Sequence, residues 1–302
     1  MDGVLAIWKP AGWTSHDVVA KCRRLLGMKR IGHAGTLDPM VTGVLPLCLG
    51  RSTRIVEYIQ ERPKAYEATI VLGVATDTED MSGTIVEQSD SVTVTEAQVR
   101  QVLQSFIGDI PQVPPMYSAV KVDGKRLYEL AREGKTLERK ARTVTIHQIE
   151  LLSMQLEQAH PQFTFSVTCS KGTYIRTLCV DIGKALGVPA AMAALTRTMS
   201  GGLTRSHCVT LEQVEQHMAS GTIDEVLIDP AQAIDHIPAT VVKEHKRKYA
   251  IQGQKLYWTD VTGHQELDDH SLIRVLDEAG NFLGIFQLNK KGHLIVPIKV
   301  FS

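Results

Sequence analysis

The segment His33-Ala34-Gly35-Thr36-Leu37-Asp38-Pro39-Met40-Val41-Thr42-Gly43-Val44-Leu45-Pro46 carries one acid between two glycines and two prolines. Proline locks φ and glycine supplies tight turns, so Asp38 is expected on a rigid loop rather than on a swinging helix face. A carboxylate held this way can act as a nucleophile, or can catch, steer or deprotonate beside a cationic sugar centre. To do so in an enclosed site it must stay ionised, which a nearby guanidinium would ensure against desolvation. The plain alternative is a turn-forming Asp before Pro39, and the dipeptide alone favours that reading.

Other chemistries find less in the chain. A retaining glycosidase needs a second acid about 5 to 5.5 Å from the first, which Asp77 or Asp80 could supply in principle. The eleven histidines show no H-x-x-x-H spacing, and the five cysteines (Cys22, Cys48, Cys169, Cys179, Cys208) stand apart without a C-x-x-C pair. No P-loop or G-x-G-x-x-G string occurs. The expectation is therefore no metal, no nucleotide cofactor and reduced, mostly buried thiols.

The elements that must position Asp38 read as follows. Val4 to Trp8 is a strand, followed by a helix capped by Ser15 and stopped at Gly27. A helix over about 52–61 precedes a strand from Tyr66 to Leu72. Thr95 with Gln98, and Thr210 with Gln213, are capping boxes. Strands near 143–152 and 162–169 precede a helix from about Thr173 to Leu186, closed by Gly187. Without regular strand and helix alternation, this mixture predicts α+β with a largely antiparallel sheet. Beyond Pro238 the character changes, and from 249 to 302 short β-rich pieces (Leu272 to Leu276, Phe282 to Leu288, Leu294 to Val300) suggest a small β-barrel, with a boundary near 236–245. At 302 residues two domains are expected, 1–238 and 239–302.

Composition is that of an ordinary globular chain, 43% hydrophobic and 22% charged, which excludes a mainly disordered protein. The start lacks a signal-peptide pattern and no run approaches membrane-spanning length, so a cytoplasmic protein is expected. Net charge is zero, yet residues 1–64 hold ten Lys/Arg against five Asp/Glu and 121–142 hold eight against four. A neutral total can thus conceal a basic face of the kind a phosphate backbone requires.

The Asp38 segment resembles, over its whole length, the signature of TruB-type pseudouridine synthases. Four further strings resemble that family's motifs in order: Lys9-Pro10-Ala11-Gly12-Trp13-Thr14-Ser15, Lys64-Ala65-Tyr66, Pro114-Pro115-Met116-Tyr117-Ser118-Ala119-Val120-Lys121, and Lys171-Gly172-Thr173-Tyr174-Ile175-Arg176-Thr177-Leu178. The C-terminal piece is similar in position and β-pattern to the PUA barrel of the family. Val41 stands where alanine is common in the family, and Leu203 where phenylalanine is common.

The resemblance implies that uridine 55 in the tRNA T-loop is isomerised, with Asp38 as nucleophile and Arg176 as its partner. It implies that Tyr66 packs on the target base, Tyr174 makes a second base contact, Leu195 lines the uracil pocket and His33 enters the T-loop. Lys9 is expected at the substrate. The basic segment 121–142, with Lys121, Arg132, Arg139, Lys140 and Arg142, matches an insertion that grips the tRNA arm in standalone bacterial members and is absent from guide-dependent relatives. Recognition of RNA without a guide RNA is therefore expected, and, separately, a monomer. Tyr174 and Arg176 are two residues apart, so they can share a site only where a helix is just beginning.

The implied reaction breaks the C1′–N1 bond, turns the uracil and joins C5 to C1′, with no redox change or hydrolysis. Attack at C1′, addition at C6 and a glycal route are all compatible with one aspartate. A non-catalytic RNA-binding or tRNA-folding protein is the alternative from another class; it needs the basic faces but neither Asp38 nor Arg176.

Overall fold

A computed structural model describes residues 1–118, 120–122, 124–135, 137–263 and 267–301. Its centre is a nine-stranded sheet. Seven strands lie in the order Gly3–Lys9, Thr42–Leu49, Ala190–Ser200, Lys64–Leu72, Gln162–Cys169, Arg142–Gln155 and Gly108–Gln112. Ile31–His33 also pairs with Thr42–Leu49, and Leu203–Thr204 with Ala190–Ser200. Every pairing is antiparallel except Thr42–Leu49 with Ala190–Ser200, so the expected α+β class with a largely antiparallel mixed sheet is what forms.

Strand alternation decides which core each residue joins. Leu5 and Ile7 face the main core, where Val18 and Cys22 of the helix Ser15–Leu25, Val99 and Leu103 of Glu96–Ser105, and Leu178 and Ile182 of Ile175–Leu186 cover the sheet. Val4 and Ala6 face the opposite side, against Ile55, Ile59, Phe282, Ile285 and Phe301. Phe282 and Ile285 belong to, and Phe301 directly follows, a six-stranded barrel-like sheet running from Ala239–Val242 to Leu294–Val300, which also has its own core around Val242, Val275 and Phe286. That sheet contains the three expected C-terminal strands; residues 249–251, expected among the β-rich pieces, close the helix Glu244–Ile251 instead.

Both capping boxes form, at Thr95 with Gln98 and at Thr210 with Gln213, and Gly187 ends its helix in the left-handed region at φ 78°. The stretch 52–61 is a 3-10 helix, Gly50–Ile55, that runs into the α-helix Val56–Glu61. The first helix differs from expectation in its cap. Thr14, not Ser15, accepts from the Asp17 amide, and Asp17 returns a carboxylate to the Thr14 amide. Two adjacent hydroxyls compete for this position, and Ser15 has a partner elsewhere.

The edge of Thr42–Leu49 changes partner along its length. Thr42 and Gly43 pair with Thr196 and Arg197, whereas Leu47 to Leu49 pair with His33 to Ile31. Residues 34–41, with Asp38 among them, connect Ile31–His33 to Thr42–Leu49 over the gap between the two partners.

Candidate active site

A divided strand edge leaves backbone carbonyls that need donors. Arg197 supplies them from a fully buried position: Nε donates to Val44 O at 2.8 Å, Nη1 to Thr36 O at 3.3 Å and Nη2 to Gly35 O at 3.1 Å. Its backbone crosses Gly43 so closely that a Cβ there would lie 2.2 Å from Arg197 O, and Gly43 has φ 117°. Only glycine fits both constraints.

The two neighbours of Asp38 are held separately. On one side Ser15, buried, accepts from the Leu37 amide at 2.9 Å and donates to Leu37 O at 3.3 Å. On the other, Lys9 Nζ donates to Pro39 O at 2.9 Å, and also to Pro10 O at 2.9 Å and Trp13 O at 2.5 Å. Gly12 N donates to Pro39 O as well, at 2.9 Å. Lys9, expected at the substrate, is instead fully buried with its three donors on carbonyls. Its place is beneath the loop, holding the backbone beside Asp38.

Asp38 itself remains half exposed and meets Arg176, Oδ2 to Nη2 at 3.1 Å. Arg176 is buried and donates through Nη1 to Thr78 O at 3.1 Å and through Nη2 to Tyr117 O at 2.8 Å. Asp80 Oδ2 lies 3.9 Å from Nη1. The second acid that a glycosidase would need is thus a partner of the arginine. Tyr174 is the N-cap of the helix Ile175–Leu186, so Tyr174 and Arg176 do stand at a helix start. The buried Gln112 fixes that start, accepting from Tyr174 N at 2.7 Å and donating to Tyr174 O at 3.0 Å.

Tyr66 pairs with Arg197 and Ala68 with Leu195, which places Tyr66 and Leu195 on one face of neighbouring strands. Burial pushes the Tyr66 phenol up, and the Arg197 guanidinium beside it opposes the shift. His33 ends its strand with its ring edge-on to His16, centroids 5.4 Å apart. Burial, with His16 and Arg197 nearby, pushes the His33 imidazolium down and favours the neutral ring.

The basic segment joins two paired sheet strands, Gly108–Gln112 and Arg142–Gln155. Lys140 and Arg142 are exposed. Arg139, expected on the RNA face, is half-buried and turned inward, Nη1 donating to Pro114 O at 2.9 Å. The side chains of Lys121 and Arg132 lie outside the described residues.

Sequence reasoning missed Arg197 as a clamp, Ser15 as a loop anchor and Gln112 altogether. Lys64 is another buried amine near this centre: burial pushes it down to about 8, and it donates to Gln60 O and Arg62 O.

Solved structures share this arrangement of strands. A structure described as an H/ACA RNP bound to a substrate RNA containing 2′-deoxyuridine aligns over 99% of this chain and 85% of its own, with TM-score 0.77 and 25% identity. A Cbf5-Nop10-Gar1 complex aligns over 99% and 84%, with TM-score 0.77 and 27% identity. Residues 23–175 match the description "TruB family pseudouridylate synthase (N terminal domain)". Residues 176–235 match "tRNA pseudouridylate synthase B C-terminal domain", and 238–300 match "Pseudouridine synthase II TruB, C-terminal". Curated proteins named tRNA pseudouridine synthase B are 47% identical in Bacillus licheniformis, over 99% of this chain and 97% of that one, and 47% identical in Geobacillus thermodenitrificans, over 100% of both.

Fold and relatives together define an RNA-modifying isomerase, a pseudouridine synthase with a PUA-like C-terminal part. Within that class the chain belongs to the TruB family and forms pseudouridine in tRNA. A non-catalytic RNA-binding protein is set aside on that ground. Among the described residues no helix is long and apolar enough to cross a membrane.

Proposed function

We propose that this enzyme isomerises the uridine at position 55 in the T-loop of tRNA, with Asp38 as nucleophile, as a cytoplasmic monomer that needs no guide RNA. The observation that carries this reading is the contact between the half-exposed Asp38 carboxylate and the buried Arg176 guanidinium at 3.1 Å, on a loop tied down on both sides of the acid. The guanidinium and the loop together hold the carboxylate in one orientation, so little rearrangement is needed on reaction.

The target base must first leave the T-loop, at a cost of about a few kcal/mol. Packing on Tyr66, with Tyr174 as a second contact and Leu195 as an apolar wall, offsets that by roughly 1 to 3 kcal/mol per stacked base. His33, at a strand end and favoured neutral, enters the space the uridine vacates. Lys140 and Arg142 meet phosphates of the T-arm. Lys248, exposed on the helix Glu244–Ile251, and Lys290 and Lys291, exposed in the turn after the strand Phe282–Asn289, reach toward the acceptor stem, whereas Lys246 and Arg247 are already paired with Asp260 and Asp277. Bond exchange within one nucleotide is redox-neutral, so the chemistry itself calls for no metal or nucleotide cofactor.

Pseudouridine mapping on an isolated T-arm stem-loop, incubated with purified protein in excess EDTA and no second RNA, tests the proposal. Product at the T-loop uridine is expected. Product only after a metal or another RNA is supplied, or only at a uridine elsewhere in tRNA, would overturn it.

A further inference from the structure

The segment Thr78, Glu79, Asp80 meets the first turn of the helix Ile175–Leu186 at three points. Arg176 Nη1 donates to Thr78 O at 3.1 Å and lies 3.9 Å from Asp80 Oδ2. Between these, Thr177 Oγ1 donates to Glu79 Oε2 at 2.6 Å. Glu79 has φ 66°, a left-handed conformation for a residue with a side chain. Such a conformation is strained and persists where its surroundings enforce it. Burial pushes the Glu79 carboxyl up, while Thr177, Arg176 and Arg139 favour its charged form.

The other wall of Arg176 comes from the root of the basic insertion, where Tyr117 O accepts from Nη2 at 2.8 Å. Arg139, near the far end of the insertion, closes it by donating to Pro114 O, and its Nε is buried without a hydrogen-bond partner among the described residues. Arg139 therefore ties together two points 25 residues apart, and its charge favours the charged form of Glu79. The guanidinium that meets Asp38 thus donates two of its hydrogen bonds to the carbonyls of Thr78, next to Glu79 in the chain, and of Tyr117, near the Pro114 that Arg139 holds.

We propose that Glu79 and Arg139 are positioning residues for pseudouridine formation, latching the root of the insertion and the Thr78–Asp80 segment around Arg176 so that it stays aligned on Asp38. The proposal rests on reading Asp38 and Arg176 as the reacting pair. It makes the insertion more than a grip: the exposed Lys140 is the immediate neighbour of Arg139, so RNA held on the outer face bears on the segment that sets the arginine. A displacement of the order of 1 Å at a reacting group can lower a rate about a hundredfold.

The test measures single-turnover pseudouridine formation at saturating protein on intact tRNA, with tRNA affinity in parallel, for Glu79→Gln, Arg139→Lys, Arg139→Gln and Arg176→Lys. Glu79→Gln and Arg139→Gln are expected to slow the rate at saturation by about tenfold or more while affinity stays within about threefold. Arg139→Lys should recover part of the loss, and the double variant Glu79→Gln with Arg139→Gln should be slowed less than the product of the two single effects. Normal rate at saturation with weakened binding would make Arg139 an RNA contact and overturn the latch, as would rate and affinity falling in step. If Arg176→Lys is slow but the Glu79 and Arg139 variants run at full rate, the latch falls and the reacting pair stands. If Arg176→Lys runs at full rate, both fall.

Discussion

Arg176 Nη2 lies 3.1 Å from Asp38 Oδ2, and the two side chains differ in exposure, 7% against 45%. The cation is fixed by the interior and the carboxylate is presented outward, so the acid can meet a substrate while its partner stays in place. Arg176→Lys keeps the charge but loses the planar fork that reaches Asp38, Thr78 O and Tyr117 O together. The expected result is a fall of about a hundredfold or more in single-turnover rate with tRNA affinity little changed. Equal losses in rate and affinity would assign the arginine to RNA binding instead.

Gly43→Ala places a Cβ 2.2 Å from Arg197 O at φ 117°, where neither backbone can give way without parting Thr42–Leu49 from Ala190–Ser200. The change should destabilise the fold by about 2 to 4 kcal/mol, read as a lower midpoint in urea. A midpoint equal to that of the parent would show that the two strands can separate at this crossing without cost.

Lys9 gives a pH signature. Burial pushes its ammonium from 10.5 down to about 8, against the attraction of Asp38. Across pH 8 to 10.5 the unfolded chain keeps a proton that the folded chain has released, so this group's contribution to stability rises with pH in that window. Lys9→Met lacks that rise. In paired urea titrations the stability of the parent minus that of the variant should increase from about pH 7.5 to about pH 9.5; a decrease would contradict the burial assigned to Lys9.

Lys140→Gln combined with Arg142→Gln should weaken tRNA binding most at low salt. It should lower the dependence of log affinity on log salt by roughly 1.5, at about 0.7 to 0.9 for each phosphate no longer neutralised. An unchanged slope would place the RNA away from this face.

Local signals in the chain indicate much of this. Pro39, Gly35 and Gly43 mark a rigid turn by residue type alone, and Thr95 with Gln98 or Thr210 with Gln213 form capping boxes whatever the tertiary fold. What escapes the sequence depends on distant partners. Ser15 has a hydroxyl suited to an N-cap, but Leu37, 22 residues away, claims it and Thr14 takes the cap. Arg197 is polar in a strand and gives no hint of burial, since the carbonyls it satisfies exist only where Thr42–Leu49 changes partner. Arg139 and Lys140 are adjacent cations in sequence; only the packing around Pro114 separates the inward one from the outward one.

Asp38→Asn tests the central claim most directly, because it removes the charge and nucleophilicity of one side chain while keeping its shape. Pseudouridine would be mapped on a T-arm stem-loop incubated with the parent or the variant in excess EDTA, with affinity measured on the same RNA. The account predicts product at the T-loop uridine with the parent, none with the variant, and affinities within about tenfold, or about 1.4 kcal/mol. Turnover by purified Asp38→Asn near that of the parent would contradict it.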